Sequence, residues 1–126
     1  MWLCLNNAFL SIVQVPGDPN TIRVRARKRQ HLKAFLGPTW SGAIKHTPHR
    51  DYHWRALLPR DTVAHLMEQF VRHSMTYNSF KGSVTDLALS KMYNRWWLDH
   101  YRYQEEQEQR QQEQQEQERQ EETERL

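Results

Sequence analysis

The chain has one cysteine, Cys4, only four glycines and no long apolar run, and its first 103 residues hold just six acidic side chains. A single thiol excludes a disulfide framework and a cysteine-built metal site, so a reducing, cytoplasmic setting is expected. The N-terminal stretch MWLCLNNAFL has no basic leader, and Asn6 and Asn7 break its apolar run. Neither a signal peptide nor a membrane span is expected from it. Six scattered carboxylates over 103 residues argue against a metal nuclease, and no cofactor is expected.

The charge that is present is unevenly placed. Residues 104–126, QEEQEQRQQEQQEQERQEETERL, hold nine Glu and three Arg, net −6. Residues 1–103 therefore hold 15 Lys and Arg against six Asp and Glu, net +9, and the formal total of +3 hides the difference. The division reads as a basic domain over 1–103 and an acidic, Gln/Glu-rich low-complexity tail over 104–126. A domain this basic raises the expectation of nucleic acid or another polyanion, because neutralising phosphates releases counterions and gives affinity without sequence reading. An ordinary solvated surface is the plainer alternative.

The stretch IRVRARKR, residues 22–29, is the most ordered use of that charge. Arg23, Arg25 and Arg27 alternate with Ile22, Val24 and Ala26. As a strand of period two, it sets three guanidinium groups on one face and aliphatic side chains on the other.

Around it the chain alternates strand and helix signals. MWLCL and AFLSIVQV read as two strands joined at Asn6-Asn7, residues that tolerate positive φ in a tight hairpin. The breakers Pro16 to Asn20 precede the arginine strand, from about Thr21 to Arg27. Leu32, Phe35 and Leu36 have helical spacing before Gly37 and Pro38 stop the element. Ala43–Thr47 and Tyr52–Leu58 read as strands across a turn at Pro48–Asp51, with Tyr52, Trp54 and Ala56 on one face and His53, Arg55 and Leu57 on the other. Val63, Leu66, Met67, Phe70 and Val71 form the stripe of a core helix, with Asp61 or Thr62 near its N-cap. Ser83 and Asp86 signal a cap for a last helix, whose seam is Leu89, Tyr93, Trp96, His100 and Tyr103, broadened by Trp97. The tail either continues that helix, given the propensities of Gln, Glu and Arg, or is disordered. The fold class expected is α+β: an antiparallel sheet of four to five strands with helices packed mainly on one face, plus a C-terminal helical or disordered extension.

Four separated pieces, MWLCLNNAFLSIV, DPNTIRVRAR, TPHRDYHWR and TYNSFK, together resemble a family of small, largely uncharacterised bacterial and phage proteins with FLSIV-like, VRAR, DYxxR and YxxFK elements. The likeness spans residues 1 to about 97, and the Gln/Glu tail is an addition to the pattern. It implies architecture and a mobile-element context, not a mechanism.

Three groups of residues are candidates for function. Arg23, Arg25, Arg27, Arg55 and Lys81 form the first, with donors suited to phosphate or carboxylate, and Tyr52, Trp54, Tyr77 and Phe80 are aromatic faces for bases. Their plainer reading is ion pairing with Asp51, Asp61 or the tail, and burial of the rings. His46, His49 and His53 crowd one hairpin and, with His65, His73 or His100, compose either a metal site or the acid and base of a metal-independent ribonuclease. Tyr93, Trp96 and Trp97 are anchors for a protein partner. The leading expectation is a small non-enzymatic binding protein, phage or mobile-element encoded, that engages nucleic acid or a nucleoprotein complex through the arginine strand, with inhibition of a host defence complex suggested by analogy. The alternatives are the ribonuclease and a protein-interaction adaptor built on the aromatic helix. No membrane partner is expected, and the sequence does not set an oligomeric state.

Overall fold

The computed structural model describes residues 1–126 and orders them as β1 (Trp2–Cys4), β2 (Phe9–Val15), β3 (Asp18–Ala26), α1 (Arg29–Trp40), β4 (Lys45–His46), β5 (Trp54–Pro59), α2 (Arg60–Gln69), α3 (Phe80–Ser83) and α4 (Leu87–Arg125). The chain forms two compact units, Met1–Asp86 and Leu87–Leu126. No helix is long and apolar enough to cross a membrane.

In the first unit the five strands make one antiparallel sheet in the order β1-β2-β3-β5-β4, so the arginine strand lies at its centre. This is the expected α+β architecture. Leu10 and Ile12 of β2, Ile22, Val24 and Ala26 of β3, and Ala56 and Leu58 of β5 point to one side. There they meet Leu32, Phe35 and Leu36 of α1 and Val63 of α2. Both helices thus seal the same face, because their apolar stripes have nowhere else to be buried.

Several local expectations are corrected. The Asn6-Asn7 turn closes through a hydrogen bond from the Leu5 amide to the Ala8 carbonyl, with no non-glycine residue at positive φ. β3 starts at Asp18, across a two-residue Pro16-Gly17 turn that uses a φ of +76° at Gly17. Its register with β2 shifts between Gln14 and Val15, which absorbs Pro19 without asking it for a ladder hydrogen bond. The Asp18 carboxylate folds under this bulge, accepting from the Asn20 amide and the Thr21 hydroxyl, and the hydroxyl holds its pKa below the usual range. β4 is only Lys45–His46, because Ser41–Ala43 is a 3-10 turn.

The regular turns of α1 end at Gly37, as expected, because that residue is non-helical. A further short helical piece, Pro38 through Trp40, follows across the kink. α2 begins at Arg60, directly after Pro59, with Asp61 in its first turn rather than as cap. It then widens into a π turn over Phe70–Ser74, marked by the bond from the Met75 amide to the Phe70 carbonyl. The wider turn rotates the stripe, so Phe70 packs on the core while Val71 is 58% exposed. Ser79 caps α3, accepting from the Gly82 amide, while Ser83, expected to cap the last helix, is the final residue of α3 and its hydroxyl donates back to the Phe80 carbonyl.

The second unit is one helix of 39 residues, about 58 Å at the standard rise, so the tail is helical rather than disordered. Gln109–Glu113 and Gln117–Glu121 side-chain bonds brace it at i, i+4 spacing. Leu89 and Tyr93 of its seam are buried, whereas Tyr103 is 66% exposed.

His31, absent from the candidates above, is buried on α1, and its Nδ1 accepts a hydrogen bond from the Phe9 amide. That bond needs the nitrogen unprotonated. Burial, with Lys28 nearby, pulls the His31 pKa below its ordinary value. Protonation therefore favours the unfolded chain, and the His31 contribution is complete above about pH 6.5 and lost as pH falls through the lower folded value. The urea midpoint of the wild type should drop between pH 7.5 and pH 5, and by less in His31→Gln, whose carbonyl oxygen can accept the same amide. Gly37 sits at φ 71°, ψ 179°, a region closed to other residues, and an added Cβ would touch nothing within 4 Å. Gly37→Ala should therefore cost about 1–3 kcal/mol in chemical denaturation from backbone strain alone.

Candidate polyanion-binding site

The face of the sheet opposite the helices is built by register. Ser11 pairs with Arg25, Arg25 with Arg55, and Arg55 with Lys45, so these four residues form one row across four strands. Directly opposed residues in an antiparallel sheet point the same way. Arg23, one pleat along, stands between Val13 and Leu57 on that face. Three neighbouring strands thus bring Arg23, Arg25, Arg55 and Lys45 together.

A pocket of about 260 Å³ opens here, lined by Arg23, Lys45, Thr47, Arg50, Arg55 and Leu57. The 47–53 loop that walls it is tied down at several points. The Thr47 hydroxyl donates to the Tyr52 carbonyl and accepts from Arg55 Nε, while the Thr47 amide donates to the His53 carbonyl. Arg27 Nη1 donates to the Asp51 carbonyl at 2.8 Å. Arg55 Nη2 pairs with the Asp51 carboxylate at 3.0 Å, and its side chain is only 13% exposed.

Charge at this site is not balanced. Asp51 pairs with Arg55, but Arg23, Lys45 and Arg50 have no acidic partner. Burial presses the Arg55 pKa down; Asp51 opposes this, and Arg25, Arg23 and Arg50 add to the lowering. A guanidinium keeps its proton under such pressure, so the cost is carried as mutual repulsion that a bound anion relieves. The Tyr52 amide, supported by Arg25 and Arg55, holds the Asp51 carboxyl below the carboxylate range. The expected pairing of the arginines with an acid is therefore met for Arg55 through Asp51, and not for Arg23.

The expected aromatic surface divides. Tyr52 lies before β5 rather than in it, so strand alternation does not carry through to it. It is 5% exposed on the arginine side, with Arg25 Cζ at 4.8 Å and Arg27 Cζ at 4.3 Å from its ring centre. Trp54 is in phase with Ala56 and Leu58, packs against the core on the helix side, and stacks on His46 at 4.2 Å. The two rings thus lie on opposite faces of the sheet. Tyr77 and Phe80 pack on each other at 6.3 Å, and Phe80 and Lys81 belong to α3 rather than to any strand of the arginine row.

His49 and His53 are exposed on the loop, and no three His, Cys, Asp or Glu side chains converge closely enough to hold a metal ion. On α4, Tyr93 is buried, Trp96 half-buried, and Trp97 is 51% exposed and stacked on Tyr101. Lys45, Thr47 and Arg50 join the site without having been singled out from the sequence. Their signal was the hairpin itself, since closing the chain over Pro48–Asp51 brings Lys45 beside Arg55.

No family model, curated protein or solved structure matches the chain.

Tyr52 serves as the floor on which Arg25 and Arg27 rest. Tyr52→Leu keeps an apolar side chain there but removes two cation–ring contacts, so it should cost about 1–2 kcal/mol in urea denaturation. Lowered affinity for a nucleic acid with no loss of stability would instead mark the ring as a stacking surface.

Proposed function

We propose that the protein is a non-enzymatic binding module whose arginine face grips the phosphate backbone of nucleic acid. The observation that carries this reading is the row Arg25–Arg55–Lys45 with Arg23 beside it, assembled on three rigid strands and left short of acidic partners. The Arg25 and Arg55 guanidinium groups, already held by Ser11, Thr47 and Asp51, lose little freedom on binding, and planar arginine donors suit phosphate oxygens. The pocket lining adds Arg50 and Thr47 and contains no histidine or carboxylate. Holding an anion is therefore the chemistry these side chains offer, ahead of proton transfer. A mobile-element origin and an action against host defence remain proposals that follow from the family resemblance.

Binding of labelled single-stranded RNA, single-stranded DNA and duplex DNA, followed by anisotropy at several salt concentrations, tests the reading. Affinity should fall steeply with salt. The exposed Lys45→Gln should weaken binding about equally across sequences and reduce the log–log salt slope by about 0.7 on single strands. Asp51→Asn, which keeps an acceptor for the Tyr52 amide while removing the opposing charge, should tighten binding. Absence of binding to all three nucleic acids at low salt would overturn the proposal.

A further inference from the structure

We infer that the pocket between Arg23, Lys45, Arg50 and Arg55 is a receptor for a phosphate monoester, and that its ligand is the phosphorylated end of a nucleic-acid strand. The inference rests on the polyanion reading and narrows it to one chemical group. Four cations line a space of about 260 Å³ with no carboxylate in the lining. Asp51, outside the lining, offsets one of them through Arg55. An internal phosphodiester carries a single negative charge and leaves most of that excess uncompensated. A terminal monoester carries about −1.5 to −2 near neutral pH and three terminal oxygens that accept hydrogen bonds.

The donors are arranged for such a group. Arg23 and Arg55 rise from adjacent strands, Lys45 comes from the next strand, and Arg50 closes over from the loop. Arg55 spends Nε on Thr47 and Nη2 on Asp51, which fixes its plane and leaves Nη1 for a ligand. Arg50 is placed by a loop whose turn is closed by its own amide, bonded to the Thr47 carbonyl at 3.1 Å. The volume accommodates a phosphoryl group and the sugar bearing it rather than several nucleotides of backbone, since it falls just below the range of about 300–1,000 Å³ for sites that enclose a whole small ligand. Leu57, 56% exposed at the rim, offers an apolar edge to that sugar.

The test compares one labelled single-stranded 12-mer in 5′-phosphoryl, 3′-phosphoryl and hydroxyl-ended forms, with adenosine 5′-monophosphate as competitor. At least one phosphorylated form should bind the wild type about tenfold tighter than the hydroxyl form, the value of one added hydrogen bond between charged groups. The preference should vanish in the double variant Arg23→Gln/Lys45→Gln, made at sites outside the core, whose urea midpoint, no lower than that of the wild type, shows that it is folded. Equal binding of all three forms by the wild type would overturn the monoester receptor while leaving the polyanion reading intact. A preference that survives in the double variant would place the receptor elsewhere and overturn the assignment. Competition by the mononucleotide as strong as by the phosphorylated strand would make a free nucleotide the ligand and overturn the strand-end assignment. If no form binds at low salt, both readings fall.

Discussion

The register of β3 is the constraint on which the rest of the first unit depends. The strand is paired on both sides, so its alternation is imposed on β2 and β5 together. Ile22, Val24 and Ala26 enter the core, and Arg23 and Arg25 take the other face. A slip of one residue would drive guanidinium groups beneath α1 and α2 and turn the aliphatic side chains outward. The cost of burying those charges is several kcal/mol each, against about 1–3 kcal/mol for each aliphatic group lost. The pattern that makes the core thus also places the arginines, and no separate device is needed to align them.

That economy has an electrostatic consequence. Arg25, Arg55 and Lys45 are neighbours because the register makes them so, although like charges directly opposite destabilise a sheet. The fold moderates the repulsion locally: Arg25 Nη2 donates to Ser11, Arg25 and Arg27 rest on Tyr52, and Arg55 reaches Asp51. Arg25 Nε is nonetheless buried without an acceptor. A sheet selected only for stability would hardly retain this row, since apolar or oppositely charged pairs would serve better. Stability given up at one place, with Arg25 and Arg55 held by hydrogen bonds, supports the proposed binding surface.

What could be read in the sequence was what depends on short periods. The two-residue period of IRVRAR placed the arginines, and the spacing of Leu32, Phe35 and Leu36 placed the core face of α1. Features set by turns were less legible. Alternation from Tyr52 puts it on the face of Trp54, but β5 begins only at Trp54, and the two rings lie on opposite sides of the sheet. Val71 followed its helical stripe on paper, but the π turn at Phe70 shifts the phase there. Lys45 and Arg50 carried no periodic signal, since their place comes from a hairpin register and from a loop stitched by Thr47, Arg27 and Arg55.

The division of charge explains why a chain of net +3 can carry so concentrated a cationic surface. Residues 1–86 hold 12 Lys and Arg against five acids, net +7, while residues 87–126 hold six against ten, net −4. At physiological salt the screening length is about 8 Å. An anion in the pocket therefore responds to Arg23, Lys45, Arg50 and Arg55 around it and to Asp51 behind Arg55, far more than to the total charge of the chain. The isoelectric point understates the site for the same reason. Net charge governs solubility and the approach of distant partners, whereas the strength of the proposed grip would be decided by the few cations within a screening length of the anion.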